Sequence, residues 1–384
     1  MTGPDEPQRR ALAALSFLAD PADRTLGALL RHRTASEVLA AVTGDEPERQ
    51  AIMTARLEVP GLGRGLERWR KRAGLLPAKA ELAGWEREGL RLTFPGDPEW
   101  PTQLDDLGDA RPLLLWVRGH VDLRYACLTS VSVVGSRAAT GYGMHVGGEL
   151  AAALAERGFT VVSGGAYGID SMAHRGALAA GGLTVAVLAS GLCYGYPRGN
   201  DELFEAIAAQ GALVSECPPD RGPSRPGFLI RNRIVAALSR GTVVVEAARR
   251  SGALSTARHA RELRRPLMAV PGPVTSENSA GCHEMIRDWA ALLVTSATDV
   301  IEHVSPIGTE LTGPRSGPAV PRDQLDPVAT AVLEAVPLRG GRGPASIAVQ
   351  AGVDLDTALR CLGLLAAAGF VKRSEQGWRA RKSP

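Results

Sequence analysis

Residues 131–137 read VSVVGSR and residues 161–166 read VVSGGA, and these two stretches decide the fold. Each is a short β-branched run that ends in small residues and precedes a helix-compatible stretch, at 142–156 and at Ile169–Ala179. This pattern is typical of successive strand–helix units in a parallel sheet. At the carboxyl edge of such a sheet, glycines let a ligand approach the backbone, and free N–H groups at helix starts favour anions. Since Arg137 adds a positive charge there, the sequence predicts a phosphate-binding edge.

The same alternation of strand and helix continues through the central part of the chain. Further apolar runs, rich in β-branched residues, lie at residues 184–188, 212–215, 242–245 and 267–270, with helical spacing in the gaps. Two shorter strand candidates, at 90–94 and 113–117, precede the first unit. We therefore predict an α/β fold with a doubly wound sheet over residues 85–304.

The flanking segments differ from this block in composition. Residues 1–84 show helical spacing of leucines, and VPGLG at 59–63 resembles the turn of a helix-hairpin-helix motif. Residues 305–325 are rich in Pro, Gly, Ser and Thr, which predicts a linker. Residues 326–384 return to helical spacing. There, stretches at 344–350 and 354–367 predict a helix-turn-helix, and 369–379 predict its wing.

Composition limits the class of protein. The 384 residues suit two or three domains, and a net charge of +3 permits nucleic-acid binding without establishing it. The five cysteines are scattered and form no C-x-x-C pair, which predicts reduced thiols and neither metal nor cofactor. No signal-length segment is evident, and no stretch approaches the ~20 apolar residues of a membrane span. We therefore expect a cytoplasmic protein with no membrane contact.

Four stretches of the central block are expected to meet at the carboxyl edge of the sheet, where open α/β folds bind ligands. They are residues 135–137 after the first strand, 163–170 after the second, 191–200 after the third, and the RNR sequence at 231–233. The last is expected to open a helix. Because two arginines at a helix N-terminus oppose the helix dipole, a bound anion would explain them.

The ordered motifs resemble those of the DNA-processing protein A family (DprA, also called Smf). After Gly-Ser-Arg at 135–137 comes a Ser-Gly-x-Ala-x-Gly-Ile-Asp-x-x-Ala-His motif at 163–174. A Tyr-Pro-x-x-Asn element follows at 196–200, and then RNRIV at 231–235, a Ser-Gly-x-x-x-Thr-Ala motif at 251–257 and VPG at 270–272. Two departures concern charge, because family members often carry Lys where this chain has Ala138 and Arg198.

The resemblance implies a non-enzymatic protein that binds and protects single-stranded DNA, forms a homodimer and loads the RecA recombinase, as in natural transformation. It also implies an extended Rossmann-like central domain, often with a helical N-terminal domain and a C-terminal winged helix. We do not expect the winged helix to read duplex DNA, because its second helix carries Asp354 and Asp356 at its start and few basic residues.

The residues agree with this function, because arginines suit phosphates and aromatic rings accept stacked bases without demanding sequence. Glycines in the same loops let backbone amides reach phosphate oxygens. The predicted DNA-binding residues are Gly135, Ser136, Arg137, Ser163, Gly164, Gly165, Ala166, Gly168, Tyr196, Arg198, Asn200, Phe228, Arg231, Asn232 and Arg233.

The main alternative is a nucleotide-processing enzyme related to the lysine-decarboxylase-like phosphoribohydrolases. Their Pro-Gly-Gly-x-Gly-Thr-x-x-Glu signature is incomplete here, since the Gly-Thr at 241–242 lacks the preceding glycine pair, although Glu246 remains. We expect Asp170 to cap a helix and His174 to be a hydrogen-bonded structural histidine. A nicotinamide dehydrogenase is disfavoured because no G-x-G-x-x-G and no acidic residue after the second strand are present.

Overall fold

The computed structural model describes residues 3–45, 58–76, 89–305 and 325–381, together with positions 47, 50, 52 and 322. Contacts divide the chain into two compact units, Met1–Leu311 and Thr312–Pro384. Of the predicted linker, only positions 305, 322 and 325 lie within the described residues. The finer division into domains at 84, 304 and 325 remains a prediction.

The first unit contains a sheet of nine strands. Their order is β1-β2-β6-β5-β4-β3-β7-β8-β9. Their bounds are β1 Leu90–Thr93, β2 Leu115–Arg118, β3 Ser130–Val134, β4 Thr160–Ser163, β5 Thr184–Val187, β6 Ala212–Ser215, β7 Gly241–Val244, β8 Leu267–Ala269 and β9 Leu292–Leu293. Strands β3 to β9 run parallel, while β1 and β2 extend one side of the sheet in antiparallel pairs.

The central strands are buried on both faces, which explains their nearly continuous apolar sequences. Helices cover both faces, so the predicted α/β, Rossmann-like fold is confirmed. Because β5, β4, β3 and β7 are neighbours and parallel, the segments that follow them meet at one edge of the sheet.

Several helices of this unit begin at a side chain that caps them. Thr140 accepts a hydrogen bond from the Gly143 amide, and Ser224 accepts one from the Gly227 amide. The described helices are α1 Glu6–Leu18, α2 Arg24–Leu29, α3 Ala35–Thr43, α4 Leu62–Lys71, α5 Leu123–Leu128, α6 Gly141–Glu156, α7 Ile169–Ala179, α8 Asp201–Gln210, α9 Arg225–Leu238, α10 Ala253–Glu262, α11 Ala280–Asp288 and α12 Ala297–Val304.

Helices α1 to α4 form their own apolar cluster, and ion pairs connect them to the segment between β1 and β2. The Arg9 guanidinium lies 2.6 Å from the Asp97 carboxylate, and that of Arg31 lies 3.0 Å from Asp109. Gly61 precedes α4 in a left-handed conformation, with φ of 75°. The helix-hairpin-helix prediction also depends on residues 46–57, most of which lie outside the described residues.

The second unit contains three helices and a two-stranded antiparallel ribbon among its described residues. They are α13 Pro327–Ala335, α14 Pro344–Ala351, α15 Leu355–Ala367, β10 Val371–Ser374 and β11 Gly377–Ala380. Gly352 ends α14 with φ of 69°, as expected for the turn between two helices. Across the described parts of both units, no helix is long and apolar enough to cross a bilayer.

Candidate nucleic-acid interface

An open cleft of about 790 Å³ lies at the carboxyl edge of the sheet. It is bounded by the segments after β3 and β4, by helix α9 and by the loop that leads into α10. Nine of the predicted residues line it: Gly135, Ser136, Arg137, Gly164, Ala166, Tyr196, Phe228, Arg231 and Asn232. The structure therefore brings together the four stretches that were expected to meet.

Arg231 forms the positively charged floor of the cleft. It is only 6% exposed, and its guanidinium donates to the carbonyl oxygens of Gly164 and Val187. Burial lowers its pKa to about 10, although the Asp170 carboxylate opposes that shift. The Arg231 Nε is buried without a hydrogen-bond partner among the described residues. Two backbone carbonyls thus hold the cation in place through one of its terminal nitrogens.

Gly164 is small because the Arg231 guanidinium needs the space. A Cβ at position 164 would lie 2.5 Å from an Arg231 nitrogen. Gly168 has φ of 76°, and a Cβ there would lie 2.2 Å from the Ser136 carbonyl oxygen. The Ser136 amide itself donates to the Glu246 carbonyl, at 2.7 Å. These two glycines therefore allow the segment after β4 to pack closely against Arg231 and against the segment after β3.

Arg137 and two aromatic rings form the wall of the cleft. The Arg137 guanidinium lies 4.7 Å from the centre of the Phe228 ring, within the range of a cation–π contact. The Phe228 ring in turn lies 5.5 Å from the ring of Tyr196, which is 43% exposed. The wall thus combines an exposed charge with two adjacent π-faces, the two groups that a nucleotide requires.

Two more arginines line the cleft than sequence reasoning had assigned to it. Arg225 lies on the first turn of α9, and Arg250 lies in the loop before α10. In the sequence, Arg250 belongs to a dense run of arginines between 249 and 265, a pattern that is usually only solvated, and Arg225 is part of no motif. The position of Arg225 beside Pro226, a residue favoured at the first turn of a helix, was the available signal.

The other predicted residues lie outside the lining of the cleft. The Ser163 hydroxyl donates to the Val133 carbonyl, at 2.7 Å. The Asn200 amide donates to the Gly165 carbonyl at 3.0 Å and to the Ser171 hydroxyl at 2.9 Å. Gly165 and Gly168 have positive φ, and Arg198 is exposed on a short 3₁₀ turn.

Arg233 points away from the cleft. It is 3% exposed, its Nε donates to the Ala110 carbonyl at 2.9 Å, and its guanidinium pairs with Glu216. The prediction that residues 231–233 open a helix is wrong, because α9 begins at Arg225 and these residues lie in its middle. At 100° per residue, Arg231 and Arg233 are about 200° apart, so they face opposite sides. The helix-dipole argument for a bound anion therefore does not apply.

The polar groups considered for catalysis make internal hydrogen bonds. The Glu246 carboxylate accepts from the Thr140 amide at 2.9 Å and from its hydroxyl at 2.6 Å, at the start of α6. The His174 Nδ1 lies 2.7 Å from the Thr184 hydroxyl, and burial lowers its pKa to about 3. Burial raises the pKa of Asp170, which accepts from the Ala166 amide. The prediction that Asp170 caps a helix is wrong, because the N-cap of α7 is Gly168 and no side chain caps the helix; Asp170 lies in its first turn.

Comparison with known proteins identifies the family of this chain. The family model for DNA recombination-mediator protein A matches residues 91–305. A putative DNA processing protein DprA of Mycobacterium tuberculosis is 42% identical over 97% of this chain and 95% of its own length. Protein Smf of Escherichia coli is 41% identical over 57% of this chain and 58% of its own length.

A solved structure is also similar. The X-ray structure of DNA processing protein A from Streptococcus pneumoniae superposes with a TM-score of 0.63 at 31% sequence identity. The similarity covers 79% of this chain and 99% of that one.

Proposed function

This chain belongs to the DNA recombination-mediator protein A (DprA/Smf) family, and on that premise we propose that its cleft binds single-stranded DNA. The observation that carries the proposal is the wall formed by Arg137, Phe228 and Tyr196 above the buried Arg231. Phosphates are attracted to the two guanidiniums, and unstacked bases can pack on the rings. A base stacked on one ring contributes roughly 1–3 kcal/mol without demanding sequence.

The flexible single strand suits this cleft better than a duplex does. Its bases are free to leave the backbone and reach an aromatic face, whereas those of a duplex are stacked and paired. The backbone contacts carry no sequence information, so the binding is expected to be general. The proposed role is to cover incoming or exposed single strands.

We further propose that the protein acts as a cytoplasmic homodimer that loads RecA onto the bound strand, as in natural transformation. Family membership supports this role, and no disulfide joins the described cysteines, which suits a reducing compartment. In the same proposal the protein is not an enzyme. We also propose that the C-terminal unit is a winged helix and that helices α1 to α4 belong to an N-terminal helical domain.

The test is a titration of labelled oligo-dT and of a blunt duplex of the same length, followed by fluorescence anisotropy. We expect tighter binding of oligo-dT, with a salt-dependent affinity. Equal affinity for both, or no binding of oligo-dT at low salt, contradicts the proposal.

RecA loading is tested separately. The rate of RecA filament formation is measured on single strands already coated by a single-strand-binding protein, with and without this chain, and acceleration is expected. Sedimentation measures the dimer. Release of free base from nucleoside monophosphates would instead support the phosphoribohydrolase alternative.

A further inference from the structure

The ribbon of the second unit, formed by β10 and β11 and ending at position 381, is strongly basic. Between 371 and 381 the sequence VKRSEQGWRAR places four cations and one carboxylate. The carboxylate, Glu375, lies in the turn between the strands. Elsewhere in this unit, three acidic residues have local partners. Asp326 and Asp354 cap helices, and Glu334 pairs with Arg322.

The register of the ribbon separates its residues onto two faces. Val371 pairs with Ala380 and Arg373 with Trp378, and this face packs on the apolar core of the unit through Val371 and Trp378. Lys372 pairs with Arg379 and therefore projects from the opposite, outward face. Arg381, two residues beyond Arg379, continues that face.

Lys372 and Arg379 are like charges placed directly opposite each other. Such a cross-strand pair destabilises an antiparallel ribbon unless an anion lies close by. Within the described part of the chain, no hydrogen bond or ion pair engages the side chains of Lys372, Arg379 or Arg381. The outward face is thus a cationic surface whose charges no described residue compensates.

We propose that this outward face binds the phosphate backbone of duplex DNA. A two-stranded ribbon has the width that a major groove admits, with phosphates on either side. A single strand is the poorer ligand, because the outward face offers no aromatic ring for a base and Trp378 belongs to the face that packs on the core. Contacts to phosphates carry no sequence information, so we expect the binding to be independent of sequence.

Helix α15, the element that would enter a groove in a helix-turn-helix protein, has the wrong chemistry for DNA. Its exposed residues include Leu355, Asp356, Leu359 and Leu364. Acidic side chains repel phosphates, and apolar side chains offer them no hydrogen-bond donor. The ribbon, and not this helix, is therefore the duplex-binding element of the unit.

The duplex site is independent of the proposed single-strand site, and the two are distinguished by a crossed experiment. The full-length protein and its variants are titrated with oligo-dT and with a mixed-sequence blunt duplex, each from 0.05 to 0.4 M salt. In the double variant Lys372→Gln/Arg379→Gln, two duplex phosphate contacts are lost. At slopes of ~0.9 per contact, duplex affinity falls about 60-fold at 0.1 M salt and the log–log salt slope falls by about 1.8. Oligo-dT affinity is expected to stay within about twofold.

Two controls keep the result specific. Arg360→Gln removes an exposed cation from α15 in the same unit and is expected to leave duplex affinity unchanged. Single substitution of Lys372 by Gln removes the like-charge contact, so the melting temperature is expected to stay the same or rise. The proposal is overturned by unchanged duplex affinity in the double variant, by an equal loss with Arg360→Gln, or by an equal loss of oligo-dT binding. If no variant binds oligo-dT while the duplex result holds, only the proposal that the cleft binds single-stranded DNA is overturned.

Discussion

Replacing Arg137 with alanine is expected to weaken oligo-dT binding by an amount that depends on salt. The side chain is exposed and lies over the Phe228 ring, so its loss removes a charge without opening the core. One phosphate contact on a single strand contributes a log–log salt slope of ~0.7. If counterion release is the whole effect, the loss of affinity is about fivefold at 0.1 M salt and about twofold at 0.4 M.

The assay is anisotropy of labelled oligo-dT at four salt concentrations from 0.05 to 0.4 M. The matched control is Arg157→Ala, which removes an exposed arginine at the C-terminal end of α6, whereas the cleft lies beyond the N-terminal end. Its guanidinium contacts the Ala153 carbonyl and the Thr298 hydroxyl. The reasoning is refuted if Arg137→Ala keeps the wild-type slope, or if Arg157→Ala produces the same change.

Three further variants test the cleft and its support. Gly168→Ala combines a φ of 76° with a Cβ 2.2 Å from the Ser136 carbonyl, so thermal unfolding should show a loss of about 2–5 kcal/mol; a loss under ~1 kcal/mol would contradict this packing. Phe228→Leu should cost roughly 1–3 kcal/mol of oligo-dT binding by removing a stacking face, with a normal melting temperature; retained affinity would exclude stacking there. His174→Asn tests a pH effect. Because burial lowers the histidine pKa from 6.5 to about 3, only the unfolded chain takes up the proton, so stability is full above about pH 6.5 and falls on acidification. The wild type should lose ~2 kcal/mol at pH 5 from this group, measured by urea unfolding, and the variant, which keeps a polar atom near Thr184, should not; equal losses would refute it.

Much of the fold could be predicted because the parallel strands are buried on both faces. Their continuous β-branched runs, such as those ending at Val134 and Ser163, are visible in the sequence and mark the edge where ligands bind. The convergence of the loops then follows from topology. Nine of the predicted residues accordingly line one cleft.

Side-chain direction on α9 could not be predicted in the same way. The helix start was placed six residues too late, because Ser224 and Pro226 were not recognised as its cap and first turn. Without the correct start, residues 231–233 looked like one basic group. Arg233 is buried against Ala110 and Glu216, which lie far from it in sequence, and no local pattern reports such contacts.

Because Arg231 and Arg233 point in opposite directions, insertions and deletions in the first half of α9 are not tolerated. Deleting or inserting one residue between Ser224 and Arg231 would turn the rest of α9 by 100° and shift it by 1.5 Å. Neither arginine would then meet its carbonyls or its carboxylate, and two unsolvated cations would be left inside the protein. The number of residues between Ser224 and Arg231 is therefore expected to be invariant. In a library of in-frame, single-residue insertions and deletions selected for folded protein, we expect changes in the 305–325 segment and none between Ser224 and Arg231.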